Sequence, residues 1–278
     1  MSWVKYLQKP DYWLVALASA LALLHLTLLD LSNQPNLMSV SILLWLSIAS
    51  LLWDKRATLK LDSKPWPTIA GFIIITLVIL RSFSDSGYQL RVSPLLTGFG
   101  LALMASGFRG LYQYWKELFI LFLLILDSSI ALALQWLNLQ VLTAKMATLL
   151  LTIAGFNVYR DGVIIGLPTG RVEVYGACSG VESITLMINI AILFFLLIPI
   201  KNIHKIISLV VAIILGFLVN CIRVGIMLML VAGNNQESFE YWHGKDGSLI
   251  FAMISVFVFG IFCWFAYVRE LSLPDNKL

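Results

Sequence analysis

Long apolar runs, broken by short polar interruptions, make up most of the chain. A helix crosses roughly 30 Å of hydrocarbon with about 20 residues. Eight runs fit that rule, at about 12–29, 37–53, 68–83, 95–108, 117–137, 178–199, 206–232 and 248–268. The fourth is short and fits a tilted or re-entrant helix. The run from Tyr12 to Leu29 is long enough to span, and no small-residue cleavage site follows it before Asp30. It therefore reads as a retained first helix rather than a signal peptide.

Between the fifth and sixth runs lies one long stretch of a different kind, 138–177. Its first half, Leu142 to Phe156, is apolar enough to lie along the interface or to pack on the helices. Its second half places β-prone Val163–Ile165 and Arg171–Tyr175 on either side of Gly166-Leu-Pro-Thr-Gly170, which predicts a small hairpin leading straight to Cys178. Gly98, Gly100 and Gly107 lie in a helical run with no strand ahead of them. That excludes a dinucleotide loop and points to close helix packing. No repeat or linker interrupts the pattern. The expected fold is one all-α polytopic membrane domain over 1–278, with about eight transmembrane helices and a small extracytoplasmic hairpin before the sixth.

Composition agrees: 60% of residues are hydrophobic, only 12% are charged, and the mean hydropathy is +0.90. A soluble domain of this length needs far more charge. No basic stripe carries interleaved aromatics, so nucleic acid is not an expected partner; the lipid bilayer is. Of the 19 Lys and Arg residues, twelve fall on one side of the eight-span plan, Lys5, Lys9 and Lys277 among them. Six fall on the other, three of these in 138–177, and Arg223 lies within the seventh run. The bias puts both termini in the cytoplasm and the 138–177 segment outside. The three cysteines show no CxxC or Cys/His spacing, so neither a metal nor a cofactor is expected. Cys221 and Cys263 sit in apolar runs and read as packing residues.

Cys178 differs, standing at the outer start of the sixth run within Ala177-Cys-Ser-Gly180. A helix N-terminus favours the thiolate and offers N–H groups to an oxyanion; an ordinary small residue at a helix start fits the position equally. Arg223 follows Asn220 by one turn, about nine residues and roughly 13 Å from the outer helix end. An arginine at that depth is costly and needs a partner, so it either snorkels toward Cys178 or forms a structural ion pair, for instance with Glu182. Glu182, four residues after Cys178, is expected on the same helix face as support. His243, in the outer loop Tyr241-Trp-His-Gly-Lys-Asp-Gly247, suits proton transfer, with two glycines letting a substrate backbone approach; a solvated loop histidine is the plainer reading. His204 reads as an inner loop residue, His25 as a buried one, Glu173 as hairpin surface, and Asp127 needs a polar partner that the sequence does not name.

Together, Ala177-Cys178-Ser179-Gly180, Asn220-Cys-Ile-Arg223, and His243 with Gly244 and Gly247 resemble the exosortase/archaeosortase family of membrane transpeptidases. The resemblance is strong over about 160–260, and Val172-Glu-Val-Tyr175 is similar to the cyanobacterial branch. It implies cleavage of a C-terminal sorting signal in partner proteins, a PEP-CTERM-like motif followed by a transmembrane helix and a basic tail, in the bacterial cytoplasmic membrane. It further implies Cys178 as nucleophile, Arg223 as stabiliser of the oxyanion or thiolate and His243 as general acid/base, with Asn220, Ser179, Gly180 and Glu182 in support. An acceptor amine, hydroxyl or water would resolve the thioester. The competing reading is a transporter or polysaccharide-export component in which Arg223, Glu182 and Asp127 line a polar path. A dead scaffold that binds signals without cleaving them is a third.

Overall fold

The computed structural model describes residues 10–82 and 87–269. Lys5, Lys9 and Lys277 of the charge count lie outside them. The chain divides into two compact units, Met1–Leu126 and Asp127–Leu278.

The first unit contains α1 (Pro10–Leu31), α2 (Pro35–Lys55), α3 (Pro65–Arg81), α4 (Gly87–Gly110), a 3₁₀ turn at Leu111–Tyr114 and most of α5 (Trp115–Gln135). Pro35 and Pro65 open α2 and α3, where a fixed φ and a missing amide cost nothing. The fourth apolar run is a 24-residue helix, longer than the sequence pattern predicts, and Gly107 at φ 65° breaks its last turn. Pro94 lies inside it and supplies no amide to the carbonyl of Leu90. His25 fills that gap: its Nε2–H donates to Leu90 O at 2.9 Å, and its Nδ1 accepts from Trp45 Nε1 at 3.2 Å. The buried histidine is thus a packing residue with both ring nitrogens satisfied. Gly100 meets Gly71 so closely that a Cβ on Gly71 would stand 2.3 Å from Gly100 O, the close packing expected of small residues in spans.

The second unit runs through α6 (Leu139–Ile153), β1 (Tyr159–Asp161), β2 (Ile164–Leu167), β3 (Gly170–Glu173), a 3₁₀ turn (Gly176–Cys178), α7 (Val181–Leu197), α8 (Asn202–Ala232), α9 (Gln236–His243) and α10 (Lys245–Cys263). The 31-residue α8 is the axis on which α6, α7, α10 and the sheet pack. One core cluster joins Ala144, Ala147 and Leu151 of α6 to Ile165, Leu167, Val174 and Cys178, and to Val224, Met227 and Leu228 of α8. A second unites α7, α8 and α10 through Met187, Ala191, Ala212, Phe259 and Cys263. Cys221 and Cys263 are buried and free, as packing residues are. Asp127 accepts from Asn189 Nδ2 at 2.9 Å, the polar partner its position called for.

Several local expectations change. The two β-prone runs do form an antiparallel pair, but Tyr159–Asp161 adds a third strand, in the order β1-β2-β3. Of the two expectations for the apolar first half of 138–177, packing on the helices holds, since it is a helix against α8. His204 lies in the first turn of α8, stacked on Tyr267 at 4.9 Å, rather than in a loop. The sixth helix starts at Val181, since Gly180, at φ 90°, breaks the chain direction just before it.

Among the described residues, five segments are long and apolar enough to cross a membrane, and one of them, Gln89–Gln135, carries the Gly107 break. Exposed tryptophans stand at helix ends, with Trp66 at the start of α3 and Trp136 just past α5, the positions an interfacial anchor takes. The protein is multi-pass.

Candidate active site

The turn before α7 holds Cys178 by backbone bonds from three directions. Cys178 N–H donates to Tyr175 O at 2.9 Å, and Ser179 N–H to Gly176 O at 3.2 Å. Ser179 Oγ donates to Gly176 O at 2.6 Å, Thr143 Oγ1 of α6 to Ser179 O at 2.8 Å, and Asn220 Nδ2 of α8 to Cys178 O at 2.9 Å. Gly180 completes the turn in the left-handed region, with Asn220 packed where a Cβ would point. Ser179, Gly180 and Asn220 therefore position the cysteine through its backbone rather than through its sulfur.

Arg223 is buried in α8 and its guanidinium is spent largely on backbone. Nη2 donates to His243 O at 3.0 Å and Nε to Trp242 O at 3.4 Å. Those two carbonyls end α9, so the arginine ties the α9–α10 joint to α8 and replaces the carbonyls' missing helical partners. Glu182 is exposed on α7 and acts on both Arg223 and Cys178 through its charge. The break at Gly180 means that Glu182 and Cys178 share no common helix face, which corrects the expectation from their four-residue spacing.

His243 is the last residue of a helix, not part of an open loop. Asn235 caps α9 by accepting from Ser238 N–H at 3.1 Å, and the helix carries the imidazole into a stack on Phe239, 5.3 Å between centroids at 12°. Of the two neighbouring glycines, Gly247 is taken by the chain itself: a Cβ there would stand 2.4 Å from Trp242 Cα. It serves the tight α9–α10 joint rather than a substrate.

Tyr175 joins the pieces. Its hydroxyl lies 2.6 Å from His243 Nε2, and its interaction with Cys178 pulls that thiol's pKa downward. Tyr175, Cys178 and His243 all line one cavity of about 340 Å³, with Val224, Met227, Val231 and Phe239 as its apolar wall. Arg223 does not line it. The structure so brings Cys178 and His243 to one cavity through a tyrosine that the sequence analysis did not single out. Its signal was available, a phenol three residues ahead of the candidate nucleophile. Thr143 carried none, since its role depends on where α6 packs.

Electrostatics correct one expectation. Cys178 lies in the turn outside α7, and burial raises its thiol above the ordinary 9.0, against the lowering effect of Arg223 and of the Tyr175 hydrogen bond. Glu182 adds to the rise. The helix start does not yield a resting thiolate, because Cys178 is only 4% exposed and desolvation outweighs the nearby cation. His243 is lowered from 6.5, by burial first and by Arg223 second. Tyr175 is raised, chiefly by burial and then by Cys178, with Arg223 opposing. The resting site therefore holds a thiol, a phenol and a neutral imidazole in a row.

The profile of the transmembrane exosortases matches residues 32–260, most of the chain and every residue of this site. The chain belongs to that family. No curated protein and no solved structure matches it. Transmembrane exosortases are cysteine-type enzymes that process proteins bearing sorting signals, and such a role at the membrane is this chain's at the level of the family.

Proposed function

We propose that this exosortase is a cysteine peptidase-transpeptidase that cleaves C-terminal sorting signals. Its substrates carry a PEP-CTERM-like motif, a transmembrane helix and a basic tail. It acts on the outer face of the bacterial cytoplasmic membrane, with both termini inside and all eight apolar helices crossing. The observation that carries the mechanism is the Tyr175 hydroxyl, 2.6 Å from His243 Nε2 in the cavity that Cys178 lines.

With His243 as its Nδ1–H tautomer, Tyr175 donates to Nε2 and is open to accept from the thiol. As Cys178 sulfur bonds to the scissile carbonyl carbon, its proton passes to Tyr175 oxygen and the phenolic proton to His243 Nε2. The relay spares the site from holding a desolvated thiolate at rest. The oxyanion is stabilised by the charge of Arg223 and by the N–H groups that open α7. The C–N bond then breaks, the imidazolium returns its proton through Tyr175 to the departing amine, and a thioester on Cys178 remains. An acceptor amine, hydroxyl or water attacks that thioester with His243 as base, and the thiol re-forms.

The test is co-expression of a tail-signal protein with wild type, Cys178→Ala and His243→Ala. Cys178→Ala leaves the substrate full-length, and His243→Ala slows processing strongly. Processing by Cys178→Ala at the wild-type rate would overturn the cysteine mechanism.

A further inference from the structure

The candidate cavity has a wall of open backbone. β3 is the edge of the sheet, bonded to β2 alone within it. Val174 N–H donates to Val163 O at 3.0 Å. Residues of an antiparallel strand bond alternately toward and away from their partner. Val172 and Val174 are thus turned to β2, while the amides and carbonyls of Arg171 and Glu173 point away from it. The cavity is lined by Arg171 through Val174, then by Tyr175 and Cys178, and by no residue of β2. It therefore runs along the outward edge of β3 and ends at the sulfur. Phe239 and His243 of α9 face that edge across it, and Val224, Met227 and Val231 of α8 close its floor.

We infer that an extended segment of the substrate polypeptide binds as a fourth strand on the free edge of β3, delivering its scissile carbonyl to Cys178. This rests on the peptidase reading above and adds how the substrate is held. An extended chain is the one conformation that satisfies outward amides and carbonyls at every second residue; a helical segment keeps its own bonds inside and leaves them bare. The four residues Arg171–Val174 extend about 13 Å at about 3.3 Å each, so roughly four substrate residues lie along the edge and every second one of them bonds to Arg171 or Glu173. Side chains of the added strand alternate. One set faces the Val224, Met227 and Val231 floor, and the other lies beside the exposed Arg171 and Glu173 side chains. The site thus selects an extended peptide with apolar residues at alternate positions.

The test scans proline through the residues flanking the cut in the co-expressed tail-signal protein, against wild-type enzyme, because proline lacks the amide proton a ladder needs. Processing falls at least tenfold at every second position and stays within about threefold between them. Equal tolerance, or equal loss, at neighbouring positions overturns strand addition. On the enzyme, Glu173→Pro removes one outward amide and leaves the bonds of Val172 and Val174 to β2. It slows processing at least tenfold. Iodoacetamide labelling of Cys178 at the wild-type rate verifies that the proline variant keeps its site, and the substrate scan decides alone if it does not. Cys178→Ala separates the two claims, since cleavage that survives it sinks the peptidase reading whatever the proline period shows.

Discussion

Tyr175 separates a histidine from a thiol, and its removal tests whether protons travel through it. Tyr175→Phe keeps the ring beside His243 and deletes only the hydroxyl. It is expected to lower kcat by about 10² to 10⁴, the range of general acid–base catalysis, with little change in KM. Tyr175→Phe combined with His243→Ala should cost no more than the worse single variant, because both interrupt one relay. Arg223 allows an independent test by pH. Activity requires neutral His243, so it falls as pH drops through an imidazole pKa held below 6.5 by burial and by Arg223. Arg223→Gln removes the cation that opposes protonation and moves this acid limb upward. The same cation lowers the Cys178 pKa, so the variant also shifts the alkaline rise of iodoacetamide labelling to higher pH. Limbs that stay in place would show that Arg223 acts only through the carbonyls of Trp242 and His243.

At the scale of elements, the site is made where α8 meets a turn and a short helix. Asn220 holds the turn and Arg223 holds the end of α9, three residues apart on one buried stretch of α8. Asn220→Ala leaves a buried carbonyl unpaired, worth about 1–3 kcal/mol. Gly180→Ala puts a side chain at φ 90°, worth about 1–3 kcal/mol, with its Cβ 3.0 Å from Asn220 Nδ2. Both variants should lower the thermal midpoint and raise Cys178 labelling, as the turn loosens and the sulfur becomes accessible. A turn that holds its labelling rate in Asn220→Ala would show that Thr143 and Ser179 suffice. The Asn-x-x-Arg spacing is legible in the sequence as two polar residues on one helix face, and so is their burial from the apolar residues around them. Their targets were not legible. Cys178 and Glu182 are the partners the sequence offers Arg223, since sequence reveals side-chain charges, whereas the carbonyls that accept from Arg223 exist on every residue.

Over the whole molecule, the proposed topology predicts where labels reach. Cys178, Cys221 and Cys263 are buried and give little background. Gly162→Cys, in the exposed β1–β2 turn, should react with a membrane-impermeant maleimide in intact cells. Ala57→Cys, just past α2, should react only after the membrane is opened. The reverse pattern would invert the orientation drawn from the lysines and arginines. The apolar runs determined the helices and their order by themselves, because a chain in hydrocarbon must satisfy its backbone internally and helices do so locally. The sequence likewise singled out the residues proposed here to carry chemistry, since a cysteine after a hairpin and an arginine in a span are unusual in any fold. Only the tertiary structure decided how they meet: α9 rather than a loop, Tyr175 rather than direct contact, a buried thiol rather than a thiolate. Each of these depends on desolvation or on a bond between residues distant along the chain, and neither quantity is local.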